Sequence, residues 1–266
     1  MRNRLDLLAE HLRSTGKKAF VAYLTAGDPS LSLTKELVLA LAGCGTDLVE
    51  LGVPFSDPMA DGIVNQLSSQ RALQAGTTLP KILELVADLR EQCSVPLVLF
   101  TYLNPIFRFG LERFGKEALQ CGVDAVLVVD LPPDASWEWA PWQAIVPRIL
   151  LVAPTTSSER RRAIARKAQG FLYYVSREGV TGMREDLPRS LATELRELKE
   201  IASVPVFCGF GISKPEQARK VAEAADGVVV GSALVHTIGE LGSSPQLVQE
   251  VTRQAQTFAE AVHSLP

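Results

Sequence analysis

The sequence is poor in the residues that build metal centres and disulfide frameworks. It has four cysteines and three histidines in 266 residues. Cys44, Cys93, Cys121 and Cys208 lie far apart and form no CxxC, which excludes a disulfide scaffold or dithiol motif as the organising feature. Buried free thiols in a reducing cytosol are expected instead. His11, His236 and His263 fall on amphipathic stretches with no ligand spacing between any two, so no metal is expected. No apolar run approaches the ~18 residues of a membrane span. The start, MRNRLDLLAEHLRSTG, carries Asp6 and Glu10 and no continuous apolar block, so it reads as neither signal nor transit peptide. Excess charge is also lacking: 27 Lys and Arg against 30 Asp and Glu give −3, which argues against a nucleic-acid or anionic-membrane partner. A cytoplasmic protein is the expectation.

What is present is alternation. Short β-branched runs occupy 19–25, 47–51, 96–102, 124–130, 148–154, 171–176, 204–210 and 227–231. Several are nearly continuous apolar stretches, as parallel strands covered on both faces should be. Between them lie helical patterns, clearest in LPKILELVADLREQC, PRSLATELRELKEIA and the long SPQLVQEVTRQAQTFAEAVHSL. Leu5, Leu8 and Leu12 mark an extra amphipathic helix at the start. Eight βα units without a break in composition predict one closed (β/α)8 TIM barrel over 1–266, with an N-terminal helix before it. The alternative is a doubly wound open sheet, which six strands or a GxGxxG after the first would have favoured; TAGDPS stands there instead.

In such a barrel, chemistry gathers at the C-terminal ends of the strands. VELGVPFSDPMADG places Glu50 at the end of a buried strand, with Asp57 and Asp61 on the loop beyond it. Glycines gather after the last three strands: Gly179 and Gly182 in SREGVTG, Gly209 and Gly211 in CGFGIS, Gly231 beside Ser232 in VVVGSAL. Glycine lets backbone N–H groups approach an anion, and a helix N-terminus favours negative charge, so a phosphate site is expected there. SKPE, 213–216, reads as a capping box with Ser213 as N-cap and Glu216 at N3. The absence of GxxxxGK[ST] argues against a nucleoside triphosphate.

The motifs AYLTAGDPS, VELGVPFSDPMADG, TYLNPI, DLP, SREGVTG, GFGIS and VGSAL, in this order over the whole chain, resemble the tryptophan synthase α subunit family. The resemblance implies retro-aldol cleavage of indole-3-glycerol phosphate to indole and glyceraldehyde 3-phosphate. It implies Glu50 and Asp61 as the catalytic acids and Tyr173 as an active-site tyrosine that positions substrate. Gly182, Gly211, Gly231 and Ser232 would hold the phosphate, and Tyr23 and Tyr102 would line the indole pocket. Thr181 resembles a loop threonine that meets the Asp61 loop on closure. No cofactor is implied in this chain; pyridoxal phosphate (PLP) is expected in a β subunit that receives the indole, in an α2β2 heterotetramer contacted through Asp57, Pro58 and Pro132.

The chemistry agrees with that assignment. One carboxyl can protonate indole C3 and then accept the hydroxyl proton, if Val49, Leu51 and the barrel interior raise its pKa. An ionised carboxylate at the ring N–H would stabilise the resulting cation. The chain departs from the family where Ile63 replaces a proline and Asn65 an apolar residue. The segment after the fourth strand holds Trp137, Trp139 and Trp142 around Pro141, so a truncated fourth outer helix is expected, its aromatics either wall packing or an interface patch. Loops 54–66 and 177–190 are expected to move. Two rivals remain: another phosphosugar barrel, which would want a lysine inside the strands, and a regulatory subunit that only activates its β partner. No Lys or Arg lies within the strand runs apart from Arg148, at the start of one.

Overall fold

A computed structural model describes residues 3–135, 140–175, 190–209 and 211–265. The strands are β1 (Ala19–Thr25), β2 (Leu48–Gly52), β3 (Leu97–Thr101), β4 (Ala125–Val128), β5 (Arg148–Val152), β6 (Leu172–Val175), β7 (Val206–Gly209) and β8 (Gly227–Val230). They pair in parallel in sequence order, and β8 returns to β1 through Ala19 opposite Gly227, which closes the ring. Each expected strand is found at its place, trimmed by a residue or more at most ends.

The helices are α1 (Arg4–Thr15), α2 (Leu31–Gly43), α3 (Ile63–Gln74), α4 (Leu79–Arg90), α5 (Leu103–Phe109), α6 (Leu111–Cys121), α7 (Ser158–Lys167), α8 (Leu191–Ile201), α9 (Pro215–Ala222), α10 (Ser232–Leu241) and α11 (Leu247–His263). Between β4 and β5 the described residues hold one short 3-10 turn, Pro141–Ala144, in place of an outer helix. Trp142 is fully buried there, edge-on to Phe114 with ring centroids 5.8 Å apart, so it is wall packing. Trp137 and Trp139 lie outside the described residues.

Strand alternation sorts the apolar side chains into two layers. Val21, Leu48, Val98, Leu127, Phe171 and Phe207 fill the barrel interior. Phe20, Val49, Leu51, Leu99, Leu172 and Val228 face the helices. Each fully buried side chain of this size stabilises the fold by about 1.5–3 kcal/mol. Leu5 and Leu12 of α1 join the interior layer, so the N-terminal helix stoppers one end of the ring and leaves the strand C-termini as its mouth. Asn3 caps α1 by accepting the Leu5 N–H at 2.9 Å and donates to the Asp124 carbonyl at 2.8 Å.

Three sequence expectations need correction. The cap of α9 is one residue later than expected: Lys214 is the N-cap, and the Gln217 side chain accepts the N–H groups of Ser213 and Lys214 at 3.0 and 3.1 Å. The amide of Gln217 reaches both donors, so Glu216 is not the N3 residue. The loop expected at 54–66 ends at Gly62, because α3 begins at Ile63. At this first helical position the lost proline would have had a helical φ in any case. Finally, only Cys208 is buried among the four free cysteines; Cys44, Cys93 and Cys121 are half-buried.

Candidate active site

Glu50 lies two residues beyond Leu48 on β2 and so points with it into the barrel. It is opposite Tyr23 on β1 and Val98 on β3, and is 1% exposed. Val49 and Leu51 face outward to the helices, so they do not supply the apolar surroundings expected of them; the interior layer does. Neither carboxylate oxygen of Glu50 has a hydrogen-bond partner among the described residues. Burial alone pushes its pKa up from 4.5 to about 8. A buried carboxyl without donors favours its neutral form, so Glu50 carries its proton at neutral pH.

Asp61 reaches the same mouth from the β2–α3 loop. It is 7% exposed, and it accepts a hydrogen bond from the Tyr102 hydroxyl at 2.8 Å. Burial raises its pKa, while the Tyr102 hydroxyl and the Asn65 side-chain amide oppose the rise. The two acids therefore differ: Glu50 is stripped of donors, and Asp61 is held by them. Tyr102 also accepts the Ala60 N–H at 3.0 Å, so one phenol grips both the loop and its carboxylate. That grip joins positions 41 apart in the chain and left no sign in the sequence.

The segment beyond the loop is anchored to the β1 side. Ser68 of α3 meets Thr25 with hydroxyl oxygens 2.6 Å apart. Arg71 donates twice to buried Asp28, at 2.8 and 2.7 Å. Asp61 thus hangs between a phenol on one side and a braced helix on the other.

Tyr23 and Tyr173 complete the interior near Glu50, each about 5% exposed at 6% and 5%. Burial first, then the Glu50 charge among others, holds the Tyr173 hydroxyl well above its ordinary pKa, so it remains a neutral phenol. Gly209 gives that hydroxyl its space: a Cβ there would sit 2.2 Å from it. Phe171 and Val175 share its face of the strand.

The glycines expected to hold phosphate follow strands further round the ring. Gly231 is the N-cap of α10 and Ser232 its first residue, directly after β8. The first N–H groups of a helix have no partner within it and face the mouth end of the strand. A Cβ on Gly231 would come 3.2 Å from the Cβ of Tyr23, and Tyr23 is paired with Glu50, so the acid and this helix start stand at one level of the ring. Gly211, after β7, has φ +75°, which a side chain would strain. Gly179, Thr181 and Gly182, with most of the loop expected at 177–190, lie outside the described residues. Asp57 and Pro132 are exposed on the mouth loops and Pro58 is half-buried.

The donor-free acid, the clamped acid and the helix start meet at one end of a closed ring, as the sequence motifs implied. Comparison with known proteins agrees. The sequence profile of the tryptophan synthase alpha chain matches residues 9–263. The tryptophan synthase alpha chain of Geobacter sulfurreducens is 50% identical over 94% of this chain and 96% of its own length, and that of Geobacter sp. (strain M21) is 56% identical over 84% and 85%. The crystal structure of tryptophan synthase subunit alpha from Legionella pneumophila superposes with a TM-score of 0.88 at 35% identity, covering 100% of both chains. Sequence, fold and mouth geometry converge: this chain belongs to the tryptophan synthase alpha chain family, the lyase subunit that cleaves indole-3-glycerol phosphate.

Proposed function

We propose that Glu50 is the acid and base of that cleavage. The neutral carboxyl gives its proton to indole C3. The bond between C3 and the glycerol carbinol carbon then breaks, its electron pair returning to the indole ring. The carboxylate so formed takes the proton of the carbinol hydroxyl, which becomes the aldehyde of glyceraldehyde 3-phosphate, and Glu50 regains its starting state. Asp61, ionised under the Tyr102 and Asn65 donors, stabilises the positive ring N–H that appears on protonation. Tyr173 positions substrate, and Tyr23 and Tyr102 line the indole pocket. Gly211, Gly231 and Ser232 hold the phosphate at the start of α10, with Gly182 and Thr181 joining from the loop after β6.

The observation that carries this reading is the buried Glu50 carboxyl with no partner among the described residues, level with the α10 start. Families of this kind pair with a β subunit, and PLP belongs to that subunit, not to this chain. In our reading residues 1–266 act as one barrel domain in a cytoplasmic α2β2 heterotetramer, docked through Asp57, Pro58 and Pro132. Indole release from indole-3-glycerol phosphate by the purified chain, alone and with its β subunit, tests the proposal. Cleavage stimulated by the partner supports it; no release in either mixture would leave a regulatory subunit as the better account.

A further inference from the structure

We propose that Arg148 is a positioning residue for partner docking, its buried guanidinium fixing the 129–134 loop that presents Pro132, where the described residues hold no outer helix. The inference rests on the reading of Pro132 as a partner contact.

Arg148 opens β5 opposite Val126 and is 4% exposed. The next residue, Ile149, belongs to the interior layer, so Arg148 points outward, on the side of the wall away from Glu50. One Nη donates to the carbonyls of Leu131 and Pro132, the latter at 3.2 Å. Its Nε is buried with no partner among the described residues. No carboxylate among the described residues is paired with it, and burial lowers its pKa. A guanidinium buried without a counter-charge is costly, and an apolar side chain would fill the same wall without that cost. What the arginine adds is its grip on two loop carbonyls.

The loop needs such a grip. A helix follows each of the other strands in the chain, but among the described residues only the Pro141–Ala144 turn separates β4 from β5. The front of the loop is held by Asp130, which accepts the Leu103 N–H of α5 at 2.7 Å. Its far end has Asp134 paired with Arg160 at 2.8 Å, but both are well exposed and contribute little. Leu131 is buried and Pro132 exposed, so the Arg148 contact falls where the chain turns from wall to surface.

The test uses the full chain with its cognate β subunit. Standalone cleavage is measured as kcat and KM, and docking as the β-subunit concentration that gives half-maximal stimulation. Arg148→Met is expected to leave standalone kcat and KM within about two-fold and to raise the half-maximal concentration about ten-fold. Arg148→Lys, which can still donate to one carbonyl, is expected to recover about half of that loss on a logarithmic scale. An unshifted half-maximal concentration in Arg148→Met overturns the inference alone. Absence of stimulation in the wild-type chain overturns the partner reading, and this inference with it. If the methionine variant does not fold, amide exchange at 129–135 in Arg148→Lys decides: faster exchange than in the wild type supports the anchor, and unchanged exchange rejects it.

Discussion

The closed end of the barrel and Glu50 at its mouth treat a carboxylate in opposite ways. At the closed end, an aspartate directly precedes three of the even-numbered strands, and each has at least two polar partners. Asp47 accepts the Phe20 N–H at 2.7 Å and meets the His263 ring at 2.8 Å. Asp124 accepts the Leu97 N–H at 2.8 Å, with Arg90 at 2.5 Å and Arg4 at 3.1 Å. Asp226 accepts the Val206 N–H at 3.0 Å and pairs with Lys199 at 2.6 Å. Each stitches the start of one strand to its neighbour. At the mouth, Glu50 is as deeply buried as any of these and has no donor among the described residues. The same functional group is scaffold in the paired aspartates of the closed end and a proton donor at Glu50.

The sharpest way to break that contrast is to remove the proton donor. Glu50→Gln keeps the shape but neither gives nor takes the proton, so kcat for indole release should fall by about 10²–10⁴, the range general acid–base catalysis supplies. Next comes the scaffold. Asp124→Ala strands two arginines and a strand N–H; it should cost about 3–5 kcal/mol of unfolding free energy in urea, with KM in the surviving folded protein little changed.

The third test sets stability against pH. The folded pKa of Glu50 is raised above its unfolded value, so the native state binds the extra proton between 4.5 and about 8. Stability from this group is fully present below 4.5 and is lost as pH rises through about 8, by at most about 5 kcal/mol at 1.36 kcal/mol per pH unit. Glu50→Gln removes that loss, so thermal unfolding at pH 9 should show the variant more stable than the wild type, with the gap closing towards pH 5. The smallest effect is expected at the clamp. Tyr102→Phe takes away a donor that holds the Asp61 pKa down, so the acid limb of kcat/KM should move to higher pH, read from the pH profile of the variant against the wild type.

The ring and its mouth were legible because period-two alternation and glycine spacing are local signals. An acid at the end of an apolar run has one place to point, and Glu50 was found there. The contacts that distinguish the two acids were not legible. Tyr102 meets Asp61, and Ser68 meets Thr25, only after the ring closes. The error at the α9 cap had a local cause: Ser213 and Glu216 satisfy the capping pattern one register early, while the Gln217 side chain, one residue on, is the group that accepts the Ser213 and Lys214 N–H groups. Arg148 stood out in the sequence as the one cation at a strand edge, but its partners are loop carbonyls, which no sequence pattern marks.

The central claim, a protonated Glu50 at the mouth with no partner among the described residues, is tested most directly by titrating that one carboxyl. In carbon-13 spectra of side-chain-labelled protein, the glutamate resonance that disappears in Glu50→Gln should titrate near pH 8 in the ligand-free chain. A midpoint close to the ordinary 4.5 would mean that Glu50 is solvated or paired, and the account of its chemistry would fail.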